Sequence, residues 1–155
     1  MKIIAIVQAR MGSTRMPNKV MQLVSADIPM IEALLSRLSQ SKEIDQIVLA
    51  TSFDSLNKPL IEHVSKLGYS IYQGSEDDVL DRYYQVALEY CPDIVVRITG
   101  DCPLIDPELV DLVIRTYKSG DSDYVSNIFP PTYPDGLDVE VFSFSALKTA
   151  WEEAT

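Results

Sequence analysis

The stretch "IIAIVQARMGSTRMPNK", residues 3–19, joins two patterns that together decide the fold. Ile3 to Val7 is an unbroken apolar run between Lys2 and Gln8, the pattern of a strand buried on both faces, which occurs in parallel sheets covered by helices. Arg10, Arg15 and Lys19 follow at once, set around Gly12, Ser13 and Thr14. Small residues let backbone N–H groups approach an anion, hydroxyls add donors, and the arginine fork matches phosphate oxygens, so a polyphosphate fits this loop. The spacing is not a Walker A loop, because Lys19 comes seven residues after Gly12 and no GK[ST] occurs, and it is not GxGxxG. A solvated basic turn on an acidic surface would carry the same charges.

Working outward, apolar runs and amphipathic stretches alternate. Residues 29–39 predict a helix with Pro29 at its first position and Ile31, Leu34, Leu35 and Leu38 on one face. Strands are predicted at 47–51 and 69–72, around a helix at 60–68 closed by Gly68. Ser75 to Asp78 reads as a capping box with Ser75 as N-cap, opening a helix whose apolar face is Val79, Leu80, Tyr83, Tyr84, Ala87 and Leu88. A strand at 93–99 precedes a helix started by Asp106-Pro107 and stopped by Gly120. Strands are expected at 122–127 and 137–144, on either side of the proline-rich FPPTYPDG, with a last helix from Ser145. This order predicts an α/β fold with three layers, α/β/α, and a mostly parallel sheet in a single domain. Ligands of such sheets bind beyond the carboxyl ends of the strands, which brings together the loops at 8–19, 73–78 and 100–106.

Composition narrows the function. The 155 residues include 23 acidic and 13 basic side chains, a net charge of −10, which argues against nucleic acid and anionic membrane as partners. Any anion must therefore be caught by a local cluster. No run of about 18 apolar residues and no signal-peptide pattern is present, so a cytoplasmic location is expected. Cys91 and Cys102 have no metal-ligand or CxxC spacing and read as packing or loop residues. In "TGDCPLIDP", residues 99–107, Asp101 follows a strand end and a glycine, a suitable place for a carboxylate that holds Mg²⁺ against substrate phosphates. An Asx turn would use the same residue, and Asp106 is most simply the cap before Pro107.

Four ordered blocks, QARMGSTRMPNKVM, GSEDDVLDRYYQVA, VVRITGDCPLIDPELVD and YPDGLDVEVFSFSAL, resemble the cytidylyltransferase family that makes CMP-activated sugars. The similarity is strongest to the branch of spore-coat polysaccharide biosynthesis proteins, related to the CMP-KDO and CMP-acylneuraminate synthetases. The resemblance implies a Rossmann-like, GT-A-like nucleotidyltransferase fold, in which CTP and a sugar or sugar acid give CMP-sugar and pyrophosphate with Mg²⁺. By position, Arg10, Gly12, Ser13, Thr14, Arg15 and Lys19 would hold the triphosphate, Ala9 would face the base, and Met11, Thr99 and Gly100 would lie on the nucleotide side. Asp78 and Arg82 would add nucleotide contacts from the third loop, Asp101 would bind the metal, and Asp138 and Glu140 would face the acceptor sugar. Arg10, Arg15, Lys19 and Asp101 would carry the catalysis.

Relatives in this family run on for roughly another third of their length, so residues 1–155 are expected to be one nucleotidyltransferase domain lacking its C-terminal part. The resemblance also implies a homodimer formed by sheet extension through residues 122–144. Two other readings stand beside the enzyme: a CTP-binding module without turnover, and a sugar-nucleotide-dependent glycosyltransferase, for which Asp121-Ser122-Asp123 is the sole DxD match.

Overall fold

The computed structural model describes residues 1–12 and 16–154. Ser13, Thr14 and Arg15, all expected in the phosphate loop, lie outside the described residues. The apolar run forms β1 (Ile3–Gln8) at the centre of the molecule. A small hairpin of β2 (Leu23–Ser25) and β3 (Ile28–Pro29) leads into α1 (Met30–Leu38), followed by β4 (Gln46–Ser52), α2 (Lys58–Lys66) and β5 (Ser70–Gly74). Then come α3 (Val79–Tyr90), β6 (Ile94–Thr99), α4 (Pro107–Ser119), β7 (Tyr124–Ser126), β8 (Glu140–Ser143) and α5 (Phe144–Glu153).

Six strands make one sheet in the order β5-β4-β1-β6-β8-β7. The first four are parallel, while β8 runs antiparallel to β6 and β7 antiparallel to β8. Period-two alternation divides β1 between two cores. Ile3, Ala5 and Val7 pack with α1, α2 and α4, whereas Ile4 and Ile6 pack with α3 and α5. This is the three-layer α/β arrangement that the alternating sequence predicts.

Four local expectations are corrected. Pro29 is the extended N-cap of α1, not its first helical residue, because it still pairs with Leu23 in the hairpin. Asp78 rather than Ser75 caps α3: its carboxylate accepts the Asp81 N–H at 2.8 Å, while Ser75 Oγ accepts the Asp78 N–H one turn earlier. On that helix Leu88 is exposed and Arg82 and Val86 are buried, since α3 is sandwiched between the sheet and α5, where Tyr84 stacks on Trp151 at 4.2 Å. The strand expected at 137–144 begins only at Glu140. Asn127 inserts its side chain ahead of it, donating to Leu137 O and accepting from Val139 N, so that side-chain bonds, with one backbone bond from Asn127 N–H to Val139 O at 3.3 Å, join the segments there.

Candidate functional site

From β1 the chain moves outward through β4 to β5, then returns to lay β6 on the other side of β1. Strand order reverses between β1 and β6, and in a doubly wound sheet the crevice for a ligand opens beyond the carboxyl ends of such a pair. The loops after β1 and β6 meet there. Gly100 N–H donates to Gln8 O at 2.7 Å, and a Cβ on Gly100 would stand 2.5 Å from Ala9 Cβ and 2.8 Å from Gln8 O. Only a glycine lets these loops cross so closely. The crossing sets Lys19 Nζ 2.6 Å from Asp101 Oδ2. The hydrogen bond from Lys19 holds the Asp101 carboxyl below the usual carboxylate range, against the opposing effect of partial burial.

The third loop joins from the other side of β1. Arg10 Nη1 donates to Glu76 Oε1 at 2.9 Å. Arg82, from the first turn of α3, is only 1% exposed, and its Nε and Nη1 have no hydrogen-bond partner among the described residues. Burial lowers its pKa, with Arg10 adding to that effect and Glu76 and Asp78 opposing it. Gln8 Oε1 at the end of β1 and Thr51 Oγ1 near the end of β4 are likewise buried and unpaired. Buried polar atoms are nearly always satisfied, so these unpaired ones, from the ends of β1 and β4 and the start of α3, call for a polar partner.

On the far side of β6 a cleft of about 750 Å³ opens, lined by Thr99, Asp101 and Cys102 and walled by Asp135, Asp138 and Arg37 among others. Burial raises the Asp138 pKa, and the carboxylates of Asp135, Glu140 and Asp101 raise it further. Burial also pushes the Cys102 thiol up, which keeps it protonated and unsuited to nucleophilic work. Asp106 caps α4 by accepting the Glu108 N–H at 2.9 Å. Glu140 does not line the cleft; it is paired with Arg97 across β6 and β8 at 2.7 Å. His63 is bonded to Glu32 between α2 and α1, and Asp121 and Asp123 are exposed beyond α4, all outside the cleft lining.

The donor set suits a hard divalent cation in one way only. Among the described residues no group of three or more His, Cys, Asp or Glu could enclose a metal. Asp101 is one ionised, half-exposed carboxylate. Mg²⁺ commonly takes one or two protein carboxylates and completes its octahedron with water and substrate phosphates, and Asp101 meets that requirement when a phosphate chain lies beside Lys19.

Of the residues expected at the site, the structure brings Arg10, Lys19, Thr99, Gly100 and Asp101 around the β1/β6 crevice, puts Arg82 and Asp78 at the start of α3, and lays Asp138 in the cleft. Gln8 and Glu76 also stand at these loops, and sequence reasoning did not single them out. Gln8 alone carried a usable signal, as the first polar residue after a strand at the centre of the sheet.

A family model described as cytidylyltransferase matches residues 4–155. An uncharacterised protein of Methanocaldococcus jannaschii is 44% identical over 156 residues, covering 99% of this chain and 62% of that protein. The spore coat polysaccharide biosynthesis protein SpsF of Bacillus subtilis is 40% identical over 161 residues, covering 97% of this chain and 67% of its own length. Among solved structures, a cytidylyltransferase from Leptospira borgpetersenii superposes with a TM-score of 0.93 at 36% identity, covering 100% of this chain and 66% of the other. The chain thus spans roughly two thirds of the length of these relatives, 62% in the case of the archaeal protein.

Proposed function

The chain belongs to the cytidylyltransferase family, and from that premise we propose that it binds CTP in the β1/β6 crevice and transfers CMP to a sugar or sugar acid with release of pyrophosphate, supplying a precursor for surface polysaccharide. One observation carries the reading. Lys19 and Asp101 stand paired where the strand order reverses, a cation suited to phosphate and an ionised carboxylate suited to a metal. A metal-bound triphosphate would exchange partners with both.

In this reaction a sugar hydroxyl forms a bond to the α-phosphorus as the bond to the bridging oxygen of pyrophosphate breaks, and the hydroxyl proton passes to solvent. The protein contributes alignment and charge neutralisation rather than covalent chemistry. Lys19, Arg10 and Arg15 hold the phosphate oxygens, Arg10 leaving Glu76 to do so. Arg82, buried and with two donors unpaired among the described residues, offers a positive group away from solvent, where such a group stabilises developing negative charge most strongly. Asp138, in the cleft, accepts hydrogen bonds from acceptor hydroxyls. Mg²⁺ bound at Asp101 would add neutralisation of the phosphate oxygens and of the departing pyrophosphate.

Residues 1–155 form one nucleotidyltransferase domain in this account. No helix of the described residues is long and apolar enough to cross a membrane, in keeping with a cytoplasmic enzyme. β7, the three-residue strand at the edge of the sheet, is where two copies would extend it into a homodimer.

The test is to incubate the chain with CTP, Mg²⁺ and a panel of neutral sugars, amino sugars and 2-keto sugar acids, and to follow pyrophosphate and CMP-sugar. Formation of both with at least one acceptor supports the enzyme. A second reading, a CTP-binding module without turnover, draws on the lone Asp101 as metal ligand among the described residues. CTP binding with no product from any acceptor would favour it.

A further inference from the structure

Asn57 closes the 3₁₀ turn Ser55–Asn57 between β4 and α2. Asp54 shapes that turn, accepting the Leu56 N–H on its side chain at 2.9 Å and the Asn57 N–H on its carbonyl at 3.0 Å. The turn drives the Asn57 side chain into the protein, where the residue is 1% exposed. Its Oδ1 accepts the Met11 N–H at 2.8 Å, and its Nδ2 donates to Ser52 O at 3.1 Å and Ser52 Oγ at 2.7 Å. Ser52 Oγ donates onward to Glu76 Oε2 at 3.2 Å, and Glu76 Oε1 accepts from Arg10 Nη1 at 2.9 Å.

Arg10 and Met11 are neighbours in the chain, so these bonds close a ring: Met11 backbone, Asn57, Ser52, Glu76, Arg10. Met11 is also held through its carbonyl, which accepts the Asn18 N–H at 3.0 Å and so draws the two ends of the 11–18 loop together. Met11, the neighbour of Arg10, is therefore held by a buried amide from the turn between β4 and α2. Asparagine suits the place because it must accept from Met11 and donate twice to Ser52. An aspartate would set an acceptor against Ser52 O, and an apolar residue would leave the buried Met11 N–H unpaired.

We propose that Asn57 is a positioning residue for the triphosphate: it sets the backbone at Met11, and through Ser52 and Glu76 it sets where Arg10 waits. The proposal rests on the nucleotide reading above. Asn57 touches no substrate; it acts through Met11 and Arg10. Small displacements of such supports are costly, since binding geometry has to be held to within a fraction of an ångström.

The test is a double-mutant cycle on CTP affinity, with cytidine as a phosphate-free control. Asn57→Ala is expected to weaken CTP about tenfold or more and to change cytidine affinity by less than about twofold. Combined with Arg10→Ala, its additional loss should shrink to about threefold or less, because the route through Ser52 and Glu76 then has no Arg10 to position and only the Met11 bond is left to act. Losses that multiply in full, or that fall equally on CTP and cytidine, would overturn the role and leave Asn57 a stabiliser of the loop. Should the Asn57 variants not fold, Ser52→Ala carries the same cycle: it cuts the ring between Asn57 and Glu76 but keeps the Met11 contact, and full multiplication with Arg10→Ala would overturn the proposal equally. A wild-type chain that binds neither CTP nor cytidine would overturn the nucleotide reading itself, and this proposal with it.

Discussion

Lys19 Nζ donates to Asp101 Oδ2 at 2.6 Å, tying the loop after β1 to the loop after β6 at the place where the strand order reverses. The hydrogen bond from Lys19 is the largest reason the Asp101 carboxyl titrates below its ordinary range. A carboxylate with a lowered folded-state pKa binds protons less readily than in the unfolded chain. Its contribution to stability is therefore complete above the ordinary value of about 3.9 and is lost as pH falls through the folded value. Lys19→Met should move the Asp101 midpoint upward in a carboxyl-carbon NMR titration and remove that contribution. An unmoved midpoint would show that Lys19 is not the cause.

Arg82 sets stability against binding. A buried guanidinium with two donors unpaired among the described residues carries a desolvation cost that the nearby carboxylates Glu76 and Asp78 offset only in part. Arg82→Met, similar in length and apolar, should leave stability unchanged or raise it by about 1–2 kcal/mol in urea denaturation, while weakening CTP at least about tenfold. A loss of stability with CTP affinity intact would make Arg82 an ordinary structural residue.

Gly100→Ala places a methyl group 2.5 Å from Ala9 Cβ and 2.8 Å from Gln8 O, neither of which can move without displacing β1. A cost of about 1–3 kcal/mol is expected, read as a lowered thermal midpoint. A change below about 0.5 kcal/mol would mean that the crossing of the two loops yields easily.

Asp106→Ala removes the carboxylate that accepts the Glu108 N–H at the start of α4. Stability should fall by about 1 kcal/mol in urea denaturation with CTP affinity retained. Lost CTP affinity at unchanged stability would move Asp106 from helix cap to ligand contact.

Legibility along this chain follows the range of the forces involved. The central strand showed in the unbroken run Ile3 to Val7, and α4 in Asp106-Pro107 and Gly120, because burial on both faces and helix ends leave local signatures. The hairpin Leu23–Pro29 left none: its strands are two and three residues long, and Leu23, Val24 and Ile28 are exposed. Asp78 took the cap from Ser75 because both positions carry cap residues and only the backbone decides between them. At the strand ends, charge and glycine content pointed to Arg10, Lys19 and Asp101, and the structure sets Lys19 against Asp101 and Arg10 against Glu76. Asn57 could not be read in this way, since nothing in "DSLNKP" distinguishes a buried tie to Met11 from a turn asparagine; the approach of β1 and β4 creates its role. The bond between Glu140 and Arg97 arises in the same way from strand register.

On the proposed function, the crevice between β1 and β6 holds a triphosphate together with a divalent cation. Calorimetric titration of the chain with CTP and with CMP, each with Mg²⁺ present and then chelated, tests it most directly. With Mg²⁺ CTP should bind at least about tenfold tighter than CMP, about 1.4 kcal/mol, and the gap should narrow on chelation. Equal affinities for CTP and CMP, unmoved by Mg²⁺, would contradict the account.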